Sequence, residues 1–377
     1  MIDELLVFSE HTKFKVIFIR KPGEFYQERI QQLKQNGIEI IYSPFITSFN
    51  FKKLLFCIQF ALRNFKGFAS KYSFVVGLKS LWWFYRLDES YFNRPVSIHA
   101  QFATQPALVS LLLKKYFASN QIRYYFTFHA YDIFFNNKWF VKLVNNSDKC
   151  FSISQYNIDY VIDKYKHLDK SKLEIARLGA FSNNTLNLPK TYSNCFNIGF
   201  ISWFLEKKGI IYLLEAMKKV AVSNRNIKLT LAGDGPLRPQ IEQFIAENNL
   251  SDTIFYVGKL NEEGKADFYS KMDALVLPAI TLPNDKDGIP VVLMEAISYG
   301  LPIISTKVSG IPEICIDNFN GYLIPERDVE SLVNAITRLY SSDETRKMFS
   351  ENSLQLFDNY RIERNSLTKL EKLEWIN

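Results

Sequence analysis

Asp285–Thr306 reads DKDGIPVVLMEAISYGLPIIST. Two acids, Asp287 and Glu295, are separated by seven intervening residues. Between them Gly288-Ile289-Pro290 forms a short loop, and Pro290 suits the first position of a helix over Val291–Tyr299. The backbone N–H groups at such a helix start have no partner within the helix. Together with the helix dipole they make a natural seat for a diphosphate. Glu295 lies past the first turn, where its carboxylate can reach vicinal hydroxyls beside that anion, and Asp287 precedes the helix, where it can meet a sugar. Gly300-Leu301-Pro302 then turns the chain tightly into a strand, Pro302–Ser305.

Working outward, the same β–loop–α rhythm fills the second half of the chain. Strands are expected at Cys195–Ile201, Lys228–Ala232, Ile254–Val257 and Ala274–Leu277. Helices are expected at Gly209–Val222, Pro236–Asn248, Gly264–Lys271, Glu330–Tyr340 and Asp343–Tyr360. The first half alternates less regularly. Phe14–Arg20, Ile38–Tyr42, Val96–His99 and Tyr124–His129 read as strands, with helices at Glu24–Gln35 and Gln105–Phe117 and a loop at Lys21–Gly23. Alternation of this kind predicts an α/β protein with parallel, doubly wound sheets. We divide it into an N-terminal Rossmann-like domain (1–190), a second one (191–355) and a C-terminal helix (356–377) that returns to the first. An Asn- and Pro-containing linker falls near Ser182–Thr191.

Composition bounds the rest. The 377 residues are 47% hydrophobic and 23% charged, which suits globular domains and excludes wholesale disorder. Four cysteines lie far apart with no CxxC pair, which argues against a zinc cluster or a disulfide scaffold. The N-terminal stretch carries acids where a secretory signal needs bases, and no run of about 18 uncharged apolar residues occurs. A cytoplasmic protein is expected. The net charge of +7 is unevenly spread: residues 1–190 hold 26 Lys and Arg against 14 Asp and Glu, and residues 191–377 hold 20 against 25. Residues 40–87 contain no acid at all. They carry seven bases (Lys52, Lys53, Arg63, Lys66, Lys71, Lys79, Arg86) and end in Trp82-Trp83-Phe84-Tyr85. Phe51–Phe65 reads as a helix within that segment. Basic residues interleaved with aromatics suit an anionic membrane surface, although aromatics of a buried core with a solvated charged rim would look the same.

The segment around Asp287 and Glu295 closely resembles the E-x7-E region of retaining glycosyltransferases of family four, in particular the colanic-acid and exopolysaccharide type. The resemblance implies the GT-B fold, two Rossmann-like domains facing a central cleft. It assigns Asp287, Gly288, Ile289, Pro290 and Val291 to the donor sugar and diphosphate, and Glu295 to the nucleotide ribose. Glu206-Lys207-Lys208-Gly209 resembles the family's E-K-K-G, which implies that Lys208, with Gly209, grips the donor diphosphate. Ala232-Gly233-Asp234-Gly235-Pro236 resembles its strand–GxGP–helix turn, adding Gly233 and Gly235. Tyr256-Val257-Gly258-Lys259-Leu260 resembles the base-binding strand end, adding Lys259 and Leu260. In the first half, Ile98-His99-Ala100-Gln101-Phe102 resembles I-H-A-H-F with Gln101 for the second His, and Thr127–Asp132 resembles T-x-H-A-x-D. These imply acceptor-side roles for His99 and Gln101 and a catalytic role beside the donor sugar for His129, shared with Asp287. The family's phosphate-binding Arg falls at Trp203, which carries no charge.

The implied reaction transfers a sugar, with retention, from a nucleotide diphosphate sugar to a glycan or polyprenyl-linked acceptor in surface polysaccharide synthesis. No metal or other cofactor is expected, because cationic and helix-end groups take the metal's place at the leaving diphosphate. The alternatives are a GT-B-fold nucleotide-sugar epimerase or hydrolase, and a non-catalytic nucleotide-sugar-binding subunit. A nucleic-acid partner is not expected, since no base-reading motif accompanies the basic half. Peripheral attachment to the inner face of the membrane is.

Overall fold

The computed structural model describes residues 2–18, 26–42, 49–92, 94–117, 122–182 and 195–376. The expected loop at Lys21–Gly23 and residues 183–191 of the expected linker lie outside them. The chain divides into unit 1, Met1–Leu178 with Ile362–Asn377, and unit 2, Gly179–Arg361.

Unit 1 opens with a helix that the sequence reading did not anticipate, α1 (Ile2–His11). It continues through β1 (Lys15–Phe18), α2 (Gln27–Gln35), β2 (Glu39–Tyr42), α3 (Phe51–Arg63) and α4 (Lys71–Arg86). Then follow β3 (Val96–Gln101), α5 (Gln105–Tyr116), β4 (Ile122–Phe128), α6 (Ala130–Phe134), α7 (Phe140–Asn146), β5 (Lys149–Ser152), α8 (Gln155–Lys164) and β6 (Leu173–Ile175). The strands are parallel, as expected, but they form two sheets among the described residues: β1–β2, and β3–β4–β5–β6. Asn50 and Ser70 cap α3 and α4 by accepting from the backbone N–H of Lys53 and Ser73.

The acid-free segment divides its aromatics between core and surface. Phe60, Trp83 and Phe84 are buried in the main core of unit 1, while Phe51, Leu55, Ile58, Leu62, Phe65 and Trp82 are exposed. Lys53 corrects the expectation that it reaches outward to lipid phosphate. Its side chain is fully buried, and Nζ donates to the Leu87 carbonyl at 2.5 Å and lies 3.6 Å from Glu89. Burial lowers its pKa.

Unit 2 runs β7 (Phe196–Trp203), α9 (Ile210–Ser223), β8 (Ile227–Asp234), α10 (Arg238–Glu247), β9 (Ile254–Gly258), α11 (Glu262–Lys271), β10 (Ala274–Leu277), α12 (Val291–Ser298), β11 (Ile303–Thr306), β12 (Gly321–Ile324), α13 (Val329–Tyr340) and α14 (Asp343–Phe357). All six strands are parallel, in the order β12–β11–β10–β7–β8–β9. The chain builds outward from β7 through β8 to β9. It then crosses back to β10 and builds the other way, so the strand order reverses between β7 and β10. In a doubly wound sheet the crevice beyond the strand ends at that reversal is where ligands bind.

The last helix, α15 (Ile362–Lys372), belongs to unit 1 and packs on α1. Phe8, Leu370 and Leu373 share a small buried cluster with Phe14 and Trp375 at its edge. At the centre of this contact Lys369 Nζ donates to both oxygens of Glu4, at 2.8 and 2.9 Å, with neither side chain more than 4% exposed.

Candidate functional site

The loops that follow β7 and β10 carry Lys207, Lys208, Asp285 and Asp287, and they meet at the reversal. After β7 the chain makes a single 3-10 turn, Glu206–Lys208, and enters α9 at Gly209 with φ +68°. A Cβ there would lie 1.7 Å from the Pro278 carbonyl oxygen just past β10, so only glycine lets the two loops close on each other. The closure brings Lys208 Nζ to 2.7 Å from Asp287 Oδ2. Lys207 Nζ stands 2.9 Å from Asp285 Oδ1 and 3.6 Å from Asp287 Oδ1. Burial alone would lower the pKa of Lys207. The hydrogen bond to Asp285 and the charge of Asp287 outweigh it, and the net shift is upward. The result is a cluster of two cations and two carboxylates, largely shielded, at the start of α12.

Pro290 occupies the capping position before α12, one residue earlier than expected, and Val291 is the first helical residue. Ile289 and Pro290 are buried, Gly288 is half-buried, and Val291 is 43% exposed at the helix start. The N–H groups of the first turn are thus held beside Lys208 and Asp287 by a buried anchor. Glu295, one turn on, is not a free carboxylate. Lys265 Nζ donates to Oε1 at 2.8 Å and the Tyr269 hydroxyl donates to Oε2 at 2.6 Å. Sequence reasoning missed both partners. Their spacing on α11, four residues apart and therefore on one face, was the available signal.

The glycine turn after β8 closes in the same way. Gly233 has φ +127°, and a Cβ there would lie 1.8 Å from the Ser202 carbonyl oxygen of β7. Gly235 packs against the Phe204 backbone. Lys259 lies exposed just past β9 and Leu260 beside it is half-buried. Lys259 Nζ sits 5.1 Å above the Trp203 ring and 3.5 Å from Asp234. Trp203, about half exposed, therefore carries a cation on one face at the strand ends.

In unit 1, His129 follows the end of β4 and begins α6, with its backbone N–H donating to Asp132 Oδ2 at 2.8 Å. Its Nε2 is 3.5 Å from Gln101 Oε1, and its ring lies 4.7 Å from that of Phe102. Gln101 in turn donates to Glu4 Oε2 at 3.0 Å, which ties it to the Glu4–Lys369 pair. His99 shares a hydrogen bond of 2.9 Å with Thr127 Oγ1. Burial, then the charge of Lys369, depresses both imidazoles, His129 to about 3, so both are neutral. Burial pushes Asp132 up to about 7. Phe102 has φ +76°, a conformation that costs a bulky residue free energy and that no sequence signal announces.

His99 and Gln101 line a cavity of about 1550 Å³ within unit 1. Its walls are mostly apolar, including Phe8, Val16, Trp83 and Ile98, and Lys13, Lys79 and Arg94 also border it. Among the described residues no group of three or more His, Cys, Asp or Glu side chains is placed to hold a metal ion, and no helix is long and apolar enough to cross a membrane.

The strand order and loop placement define the chain as a GT-B protein. The Anabaena protein HepE, solved with UDP and glucose, superposes over all of this chain and 96% of its own with a TM-score of 0.70, at 16% identity. Residues 190–355 match the family described as glycosyl transferases group 1, and the chain carries a domain of that family. An amylovoran biosynthesis glycosyltransferase of Erwinia amylovora is 32% identical over 170 residues, 45% of this chain and 42% of that protein. An uncharacterized glycosyltransferase of Methanocaldococcus jannaschii is 28% identical over 275 residues, 71% of this chain and 72% of its own. The match to the Erwinia protein thus spans under half of that relative's length.

Proposed function

We propose that this protein is a retaining glycosyltransferase that moves a sugar from a nucleotide diphosphate sugar to a glycan acceptor, lipid-linked, in surface polysaccharide synthesis. The observation that carries the reading is the cluster at the reversal of the unit 2 sheet. There Lys208 and the open end of α12 converge where the departing diphosphate gathers charge, and positive potential at that point lowers the barrier. An arriving diphosphate competes with Asp287 for Lys208. The carboxylate so released accepts hydroxyls of the donor sugar, while Lys207 stays close to it. The bond from the anomeric carbon to phosphate breaks as the bond to the acceptor oxygen forms, and the leaving phosphate takes the acceptor's proton. Neutral His129 offers a hydrogen bond to a sugar hydroxyl rather than a charge. No metal is required in this scheme. The Anabaena structure with UDP and glucose and the amylovoran relative support the donor and acceptor classes.

Unit 1 supplies the acceptor side. Its cavity joins apolar walls to cations, a combination that suits a chain bearing an anionic head. The outward faces of α3 and α4 and of the turn Phe65–Phe68 between them support attachment to an anionic membrane, since Phe51, Leu55, Ile58, Leu62, Phe65 and Trp82 are exposed beside Lys52, Arg63, Lys66 and Lys71. At ~1 kcal/mol per basic residue near such a surface, the attachment is weak and reversible. The test is calorimetry with UDP and GDP, followed by product analysis on lipid-linked glycans. Release of free UDP or GDP without a glycosylated product would turn the reading to the hydrolase or epimerase, and binding without turnover to a non-catalytic subunit. Cosedimentation with anionic and neutral liposomes at low and high salt tests the membrane term; absence from every pellet rejects it.

A further inference from the structure

We propose that Lys265 and Tyr269 are positioning residues that fix the Glu295 carboxylate in the orientation that selects a ribose over a deoxyribose in the donor nucleotide. The inference rests on the reading of unit 2 as the nucleotide-sugar domain. Each carboxylate oxygen has two lone-pair directions. Tyr269 takes one on Oε2 and Lys265 takes one on Oε1, at 2.6 and 2.8 Å. One acceptor direction remains on each oxygen, the arrangement that a pair of vicinal hydroxyls can satisfy together. Unclamped, a glutamate on a helix spreads over several rotamers and must be ordered by its ligand.

The clamp is itself held in place. Tyr269 is 1% exposed and its ring stacks on Tyr299 at 5.2 Å between centroids. Its burial and the adjacent Glu295 charge raise its pKa far above the ordinary phenol value, so the hydroxyl stays a donor at every working pH. Lys265 is braced from the other side by Glu262 at 3.1 Å. Burial opposes its charge, but Glu295 and Glu262 outweigh that and keep it protonated. A pair that served only to satisfy buried groups would stabilise unit 2 without favouring one ligand over another.

Ligand discrimination separates the two roles. Wild type, Tyr269→Phe, Lys265→Met and Glu295→Ala are titrated calorimetrically with UDP or GDP, with the matching 2′-deoxynucleotide, and with inorganic diphosphate. Thermal unfolding checks that each variant is folded. Wild type is expected to prefer the ribonucleotide by about tenfold, the scale of one hydrogen bond to a charged group. Tyr269→Phe keeps the ring stack and should cut that preference about threefold or more while leaving inorganic diphosphate affinity unchanged; Lys265→Met should act in the same direction. If Glu295→Ala abolishes the preference and both clamp variants retain it, the clamp is overturned and the donor reading stands. Equal weakening of all three ligands in the clamp variants assigns Lys265 and Tyr269 a structural role and also overturns it. If wild type binds no nucleotide, or Glu295→Ala leaves the preference intact, the donor reading falls and the clamp with it.

Discussion

Both units place polar residues in or after the C-terminal ends of their parallel strands, yet they treat charge in opposite ways. In unit 2 the residues are ion pairs, Lys208 with Asp287, Lys207 with Asp285 and Lys265 with Glu295, each 11–38% exposed. Pairs of this kind can exchange a carboxylate for another anion. In unit 1 the imidazoles of His99 and His129 are neutral, and the Lys369–Glu4 ion pair, to which Gln101 donates, is buried. A charged donor calls for exchangeable ions, whereas a hydroxyl acceptor calls for neutral hydrogen-bonding groups. The contrast fits the division of labour proposed above, with the donor in unit 2 and the acceptor in unit 1.

The buried pair is the most sensitive point of the contrast. Lys369→Met leaves Glu4 buried without its cation and should destabilise unit 1 by ~3–5 kcal/mol, read by denaturant unfolding. A loss under 1 kcal/mol would mean that water reaches the pair. In unit 2, Glu295→Ala should reduce donor turnover on the order of 100-fold, about 2.7 kcal/mol of transition-state stabilisation, in a protein that still folds. Near wild-type kcat/KM in that variant would remove Glu295 from the site. Lys208→Ala should weaken binding of the nucleoside diphosphate by ~1.5–3 kcal/mol. Unaltered affinity would place the anion elsewhere.

Protonation sharpens the same contrast. A depressed His129 stabilises the fold above the ordinary imidazole pKa, and that contribution is lost as pH falls from about 6.5 toward 3. Asp132, raised to about 7, acts in the opposite sense: it favours the fold at low pH and loses that contribution as pH rises from its ordinary value through 7. The two partly cancel between pH 7 and 5.5. Asp132→Asn removes the offset, so its stability should fall more steeply than wild type over that window, by on the order of 1–2 kcal/mol. Parallel curves would show that the aspartate is ionised in the folded state. The smallest effect is expected at Trp203. Trp203→Arg should change diphosphate affinity by within ~1 kcal/mol or raise it, because Lys259 already brings a cation to that strand end. A large loss would show that the indole itself meets the ligand.

Unit 2 was legible in the sequence because its determinants are local. The strand and helix boundaries around Ala274–Leu277 and Val291–Ser298 follow from Gly, Pro and apolar runs, and they agree within a residue or two. The side-chain partners were not legible. Lys208 meets Asp287 and Lys265 meets Glu295 across gaps of 79 and 30 residues, distances that spacing rules do not reach. In unit 1 the obstacle was burial of charge. α1 carries Asp3 and Glu4 and so reads as a solvated start, but Glu4 is core because Lys369 covers it. Lys53 reads as a surface lysine, and the Leu87 carbonyl together with the Glu89 carboxylate explains its place inside.

The pairing of α1 with α15 also sets an order of events in time. Unit 1 is written in two pieces of the gene with all of unit 2 between them, and Glu4 leaves the ribosome 365 residues before Lys369. At roughly 5–20 residues per second, the N-terminal helix waits tens of seconds for the cation that neutralises its buried acid. Unit 2 is complete in sequence at Arg361, before α15 exists. The half of the protein that is begun first is therefore the half that is finished last.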